Sequence, residues 1–335
     1  MDLQLLDQTL TDLGQPRFRA GQVWAWAARG ARGYEEMTNI PAGLRDLLAE
    51  RLPFSSLELR DEAHSDDGTV KALFATRDGR ALEAVLMRFR DGRRSICVSS
   101  QSGCPLTCSF CATGKMKFAR NLTASEIVEQ ALHFRRTEAI DHCVFMGMGE
   151  PMLNLDNVLE ACERLPDIGV THRRTTISTV GWIPGIERLT ECDMPLRLAL
   201  SLHAADESLR SQLMPVNDRY PLKDVIAACR AFYARKRRRV FVEYVMLAGV
   251  NDRYEQAQEL AKLLSSPHER EQSIFKVNLI PYNPTDSQFD GSSKDTIAHF
   301  RATLESRGVP VTVRLTRGRD IAAACGQLAA QALAS

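Results

Sequence analysis

The chain has 335 residues, 44% of them apolar and 25% charged, and a formal net charge of +1. These are ordinary values for a globular protein with one large domain and room for a small accessory one. With so little net charge no global field announces a polyanionic partner, and no apolar run approaches transmembrane length.

The start, "MDLQLLDQTL", carries an acid at position 2 and no long apolar stretch, unlike a signal peptide. Residues 1–62 read as a helical accessory unit, because "LQLLDQTLTDLG", "FRAGQVWAWAARG" and "AGLRDLLAERL" repeat apolar positions every three or four residues. Gly14 and Gly30 read as helix stops. Residues 63–93 read as a β-hairpin extension, "TVKALFAT" and "ALEAVLMRF" joined across "RDGR". From residue 94 to 335 the pattern alternates. The strand-like runs are "SICVSS", "CVFMGM", "TTISTV", "LRLALSLH", "VFVEYVM", "FKVNLI" and "VTVRL". Helical stretches such as "ASEIVEQALHFRR", "NVLEACERL", "KDVIAACRAFYARK", "YEQAQELAKLL" and "KDTIAHFRATLESRG" lie between most of them. Such alternation predicts an α/β fold with a parallel sheet under covering helices. Six or so repeats fit a curved, incomplete (β/α)6-type barrel, with a flat doubly wound sheet as the alternative. Local basic blocks stand out: "RFRDGRR", "THRR", "RKRRR" (235–239) and "RLTRGR". Any one reads as a solvated face; together they keep nucleic acid open.

Nine cysteines, an odd number without an export signal, argue against a disulfide scaffold and for a cytoplasmic setting. Three of them, Cys104, Cys108 and Cys111, fall within "GCPLTCSFCATG" at C-x3-C-x2-C spacing. A structural zinc site needs four ligands, and the nearest candidates for a fourth, His133 and Cys143, sit in predicted regular elements. Three thiolates on a four-iron cluster instead leave one iron open for a ligand.

That spacing, with Phe110 just before the last cysteine, resembles the radical S-adenosylmethionine (SAM) superfamily. The loop also follows the first core strand, where barrel sites lie. The resemblance implies a [4Fe-4S] cluster on Cys104, Cys108 and Cys111, whose open iron chelates SAM and whose electron cleaves it to a 5′-deoxyadenosyl radical. "GMGEP" (147–151) resembles the glycine-rich turn that receives the SAM ammonium, with Glu150 as a charge-assisted acceptor.

Cys97 in "CVSSQSGC" and Cys325 in "RGRDIAAACGQL" would singly read as small buried residues. Together with "NLIPYNP", "LSLHA" and the N-terminal "RFRAGQVWAWAARG…YEEMTNIP" they closely resemble the RlmN/Cfr family of adenosine methyltransferases acting on 23S rRNA, over nearly the whole chain. The resemblance implies that Cys325 takes a methyl group from one SAM as a thiolate nucleophile. A second SAM then supplies the radical that activates the methyl for addition to C2 of adenine. Cys97 resolves the protein–RNA adduct by forming a disulfide with Cys325, which external reductant reopens.

Glu83 matches the family's proton acceptor, though an exposed strand glutamate would look the same. SAM contacts carry over to Gly149, Glu150, Ser178, Ser201, Leu202, His203 and Asn283. Asn283 could equally start a turn, and His203 could be a satisfied barrel histidine. Implied partners are 23S rRNA, a tRNA, and an electron donor such as flavodoxin or ferredoxin, with no membrane and a monomeric chain. The N-terminal helices and "RKRRR" are the expected RNA grip, although the latter could simply cap a helix dipole. Rival readings are methylation at adenine C8, a non-catalytic Fe-S RNA-binding protein, and a glycyl-radical activase.

Overall fold

The computed structural model describes residues 1–265 and 273–330; residues 331–335, counted above with the core, lie outside them. Three helices open the chain: α1 (Leu3–Asp12), α2 (Phe18–Arg29) and α3 (Ala42–Arg51). The Asp2 side chain caps α1 by accepting from the Leu5 amide, and Gly30 ends α2 at φ 102, a left-handed turn that glycine enters without strain. Their apolar stripe (Leu6, Leu10, Val23, Leu44, Leu48) is buried, and Trp24 Nε1 donates to Asp167 Oδ2 at 2.7 Å. That bond ties the accessory unit to a helix of the core.

Next come β1 (Leu57–His64), β2 (Val70–Thr76) and β3 (Ala81–Arg88), an antiparallel ribbon. The hairpin β2–β3 is the expected one. β1 is an addition: residues 57–62 belong to the sheet and not to the helical unit. A bulge between Leu59 and Asp61 shifts its register, which breaks the two-residue alternation that would have marked it.

β3 pairs antiparallel with β4 (Arg94–Cys97), which starts the core. A small sheet follows, β5 (Gln101–Ser102) on β6 (Arg120–Asn121), whose pairing closes the cysteine loop at its base. Arg120 fixes that base, reaching Asp78 at 2.6 Å and Glu126 at 2.8 Å. The rest alternates: α4 (Ala124–Arg135), β7 (His142–Phe145), α5 (Leu155–Ile168), β8 (Thr175–Thr179), α6 (Ile183–Glu191), β9 (Arg197–Ser201), α7 (Glu207–Leu213), α8 (Leu222–Lys236), β10 (Val240–Met246), α9 (Tyr254–Leu264), β11 (Phe275–Pro281), α10 (Lys294–Ser306) and β12 (Val311–Val313). The main sheet runs β1-β2-β3-β4-β7-β8-β9-β10-β11-β12, parallel from β4 onward. Six crossovers thus join its parallel strands, and β1 and β12 do not meet. This is the incomplete (β/α)6-type barrel with an antiparallel extension. Helix α6 escaped the sequence reading because Pro184 and Gly185 occupy its first turn; proline is tolerated there since that N–H has no helical partner. Cys143 is core filling, as its strand position suggested, and His133 spends its Nε2 on Glu62 at 2.8 Å.

Candidate active site

Parallel strands put every strand-to-helix loop at one end of the barrel, so residues far apart in sequence meet there. One cavity at this end is lined by Cys104, Cys108 and Cys111 from the loop after β4, and by Gly149 and Glu150 from the turn after β7. Ser178 of β8, Ser201 of β9, His203 and Cys325 complete it.

The glycine turn is tight. Gly149 has φ +96, and a Cβ there would stand 2.5 Å from the Gln101 Cβ; a Cβ on Gly147 would meet Ser99 Oγ at 2.7 Å. Gln101 Oε1 accepts from the Glu150 amide at 2.8 Å, which fixes the turn to β5. Both Glu150 oxygens are engaged, Oε1 by the Met152 amide at 3.1 Å and Oε2 by the Val180 amide at 3.0 Å. Burial outweighs these bonds and lifts the Glu150 carboxyl to about 7. His203 is at φ 60, its Nδ1 accepts from the Val245 amide at 3.0 Å, and its ring meets Phe110 edge-on at 4.7 Å. Burial lowers its pKa to about 3, so it is a neutral imidazole with its proton on Nε2. Arg210, fully buried, holds the back of the site by donating to the carbonyls of Val180 and Leu202.

Burial raises the thiols of Cys104, Cys108 and Cys111, Cys104 to about 12. Three thiols that the protein does not itself ionise suit a cationic iron cluster, which expels their protons on binding. Among the described residues no three His, Cys, Asp or Glu side chains converge on one point as a single ion requires. A cubane, whose ligated irons are separate atoms, makes no such demand. A buried carboxylate without a cation, beside two serine hydroxyls 3.3 Å apart, likewise suits an amino-acid ligand carrying an ammonium. The donor set therefore fits the cluster and SAM.

Two expected contacts fall elsewhere. Leu202 is wholly buried in the core, its N–H donating to the Glu243 carbonyl and its own carbonyl accepting from Arg210. Asn283 lines the adjoining cavity and not this one; its Nδ2 donates to the Cys325 carbonyl at 3.2 Å and its buried Oδ1 has no partner. Cys325 itself is carried by a C-terminal strap bonded to the cysteine loop: Ala112 N–H donates to the Gly326 carbonyl at 2.8 Å and Thr113 Oγ1 to that of Leu328 at 2.6 Å. Cys97, at the end of β4, is buried, and burial followed by the nearby Cys325 pushes it to about 12. All nine cysteines are free, so the disulfide expected between Cys97 and Cys325 is absent and the pair stands as two thiols.

Glu83 departs most from expectation. It lines a separate cavity, with Lys71 Nζ 3.1 Å from its Oε1 and the amides of Ala329 and Ala330 donating to its Oε2 at 2.9 and 3.1 Å. In this structure it clamps the C-terminal strap.

The sequence reading missed Arg314 and Glu243. The Arg314 guanidinium stands beside Cys325, Glu243 and Cys97, and these neighbours raise it above its usual range. Its Nη1 is 3.5 Å from Glu243 Oε2 and 3.4 Å from Met146 Sδ, and Asn278 Nδ2 donates to Glu243 Oε1 at 2.8 Å. The signal was present: a charged or amide side chain inside each of three apolar strand runs, "VFVEYVM", "FKVNLI" and "VTVRL".

Residues 98–264 match the model of the radical SAM superfamily, and residues 1–53 that of the ribosomal RNA large subunit methyltransferase N-terminal domain. The chain is 45% identical to a probable dual-specificity RNA methyltransferase RlmN of Chloroflexus aurantiacus, over 98% of this chain and 91% of that protein. It is 43% identical to the dual-specificity RNA methyltransferase RlmN of Pelobacter propionicus, over 98% and 94%. A crystal structure of a radical SAM methyltransferase from Sphaerobacter thermophilus superposes with a TM-score of 0.91 at 44% identity, covering 99% of this chain and 98% of that one. Among the described residues no helix is long and apolar enough to cross a membrane.

Proposed function

Because the chain belongs to the RlmN family of radical SAM RNA methyltransferases, we propose that it methylates C2 of an adenosine in 23S rRNA, and of a tRNA adenosine, through Cys325. The observation that carries this reading is the position of Cys325. It lines the cavity of the three loop cysteines and also the adjoining cavity that holds Cys97, so one sulfur faces both the methyl source and the resolving thiol.

Adenine C2 is an electron-poor sp2 carbon and cannot take a methyl group as an amine nucleophile does. The cluster on Cys104, Cys108 and Cys111 and the SAM held at Gly149, Glu150, Ser178, Ser201 and His203 supply the methyl group and the radical that makes it reactive. This chain's residues do the rest. Cys325 needs its thiolate to accept the methyl, and Arg314 beside it stabilises that charge. Once the carbon is joined to adenine and C2 has given up its proton, the Cys97 thiolate attacks the Cys325 sulfur: an S–S bond forms, the S–C bond to the nucleotide breaks, and the released carbon keeps that electron pair and takes a proton to become the methyl group. An external dithiol then returns both thiols. Cys97, so strongly protonated in its buried position, must be ionised by the opening of the site or by Arg314. For Glu83 to take the C2 proton, the strap must first release the Ala329 and Ala330 amides. The partners are the RNA and a one-electron donor such as a flavodoxin or ferredoxin, with the enzyme acting as a monomer in the cytoplasm.

Mass spectrometry of 23S rRNA and tRNA from a strain lacking the gene tests this. Loss of 2-methyladenosine, restored by the wild-type gene and not by Cys325→Ala, is expected. Retained 2-methyladenosine in the deletion strain contradicts the reading.

A further inference from the structure

The basic blocks take no part in the site above, and topology decides where they go. "THRR" precedes β8, Arg197 opens β9, "RKRRR" precedes β10, Lys276 lies early in β11 and Arg93 precedes β4. Each stands at the N-terminal end of a parallel strand, so the sheet gathers them around one rim, opposite the cysteine loop. The rim opens into a cavity of about 520 Å³, within the range of ligand sites, whose walls include Arg93, Arg174, Arg197 and Lys276. Arg173 and Arg197 stand near Arg238: burial, then the charges of those two arginines, lower the Arg238 guanidinium from its usual range.

The bland account of such charges is a solvated face. Several arginines elsewhere in this protein do find acids: Arg88 and Arg94 share Glu138, Arg120 has Asp78 and Glu126, and Arg188 has Asp156. Among the described residues no ion pair is formed by Arg93, Arg173, Arg174, Arg197, Arg238 or Lys276. Six cations that form no ion pair among the described residues repel one another and lower stability unless an anion covers them.

The cavity is also not a blind one. Met146, Glu243, Ile280, Arg314 and Cys325 line both it and the cavity of the three loop cysteines, so the lumen runs from the cations to the reactive sulfur. Arg197 precedes Ser201 by four residues, and Ser201 pairs with Glu243 at that waist. Four residues are about 13 Å of strand, comparable to one nucleotide from its phosphate to the far edge of its base. Beside the rim, the Phe89 ring carries the Arg93 guanidinium at 3.9 Å and that of Arg317 at 4.9 Å, and Leu315 is 70% exposed.

We propose that this rim is the phosphate grip for the RNA, and that the target nucleotide enters the barrel through it, from the end opposite the cysteine loop. The proposal rests on the reading of the chain as an RNA methyltransferase. A splayed nucleotide in a loop suits the geometry, because a base must leave its stack to reach a buried sulfur while its phosphates stay outside. Cations on separate strands recognise repeated backbone charge and carry no sequence readout.

The test measures the affinity of the cluster-loaded enzyme for unmodified 23S rRNA transcript across a salt series. Arg173→Gln/Arg197→Gln/Arg238→Gln should bind at least about tenfold more weakly at ~0.1 M salt, with a salt slope flatter by about two for three lost phosphate contacts. Arg173→Lys/Arg197→Lys/Arg238→Lys, which keeps the charge, should stay within about threefold of wild type. Wild-type affinity and slope in the glutamine variant overturn the grip. Equal losses in both variants with an unchanged slope overturn it too, since they report damage and not charge. If the wild-type enzyme methylates the transcript while the glutamine variant binds normally, only this surface is wrong. If wild type neither binds nor methylates 23S rRNA or tRNA, the functional reading fails and the proposal with it.

Discussion

At the C-terminal end of the parallel strands, Glu150 and His203 are buried and Cys108 and Cys111 half-buried, and desolvation pushes each toward its uncharged form. At the N-terminal end, Arg173, Arg174 and the "RKRRR" block face solvent or lie half-buried, and among the described residues they form no ion pair. The first end is desolvated and fixed by backbone bonds before any ligand arrives. The second is an open field that needs no exact fit. This division matches two kinds of ligand, a small cofactor held atom by atom and a polyanion held by its backbone charge. Cys325 and Arg314 sit between them.

The comparison is broken most directly by removing one end and asking whether the other survives. The variant carrying alanine at Cys104, Cys108 and Cys111 should lose an iron content of about four per chain and all methylation, as expected for a cysteine-ligated cluster. Its RNA affinity should stay near that of wild type. Unchanged iron and sulfide in that variant would show that these thiols hold no cluster, and lost RNA binding would show that the two ends are not separable.

Gly149→Ala comes next. A Cβ 2.5 Å from Gln101 at φ +96 forces the turn to move, so a loss of about 2 kcal/mol or more is expected by urea unfolding, along with SAM binding. Stability and SAM affinity equal to wild type would mean that the turn is not the rigid cradle described.

His203 gives a pH signature confined to the closed end. Its pKa is depressed from 6.5 to about 3, so the unfolded chain binds a proton that the folded one refuses. Its contribution is constant above 6.5, and stability falls as pH drops from 6.5 toward 3, by at most roughly 1.4 kcal/mol per unit of displacement. In metal-free protein, His203→Gln should flatten the acid limb of a stability–pH curve. An unaltered limb would place the ring in contact with water. The smallest effect belongs to the open end: Arg238→Gln should change stability by no more than about 0.5 kcal/mol and RNA affinity by a few-fold. A large destabilisation would make Arg238 structural.

The two ends also differ in how far they could be read from sequence. C-x3-C-x2-C and "GMGEP" are local: their chemistry lies within a dozen residues, and the structure brings both to one cavity. The seven apolar runs became the seven parallel strands, and most of them are buried along nearly their whole length, β12 at the edge being the exception. The basic rim and the Arg314–Glu243 waist come from separate strands, and only the strand order joins them. Sequence spacing holds no record of that order. Glu83 shows what a motif leaves out. Its position along the chain suggests a base at the thiols, whereas the pairing of β2 with β3 sets it against Lys71 and the strap. β1 was hidden by its bulge and α6 by Pro184.

The central claim is that Cys325 carries the methyl group and Cys97 releases the product, and denaturing gels with labelled RNA test it most directly. Incubated with SAM, reductant and RNA, Cys97→Ala should retain methyl transfer to Cys325 and addition to the base, then stall as a covalent protein–RNA band. Cys325→Ala should show neither methyl-protein nor that band. Two small core cysteines would instead leave both variants active in proportion to folded protein. Normal turnover of Cys97→Ala with no crosslinked band would contradict the account.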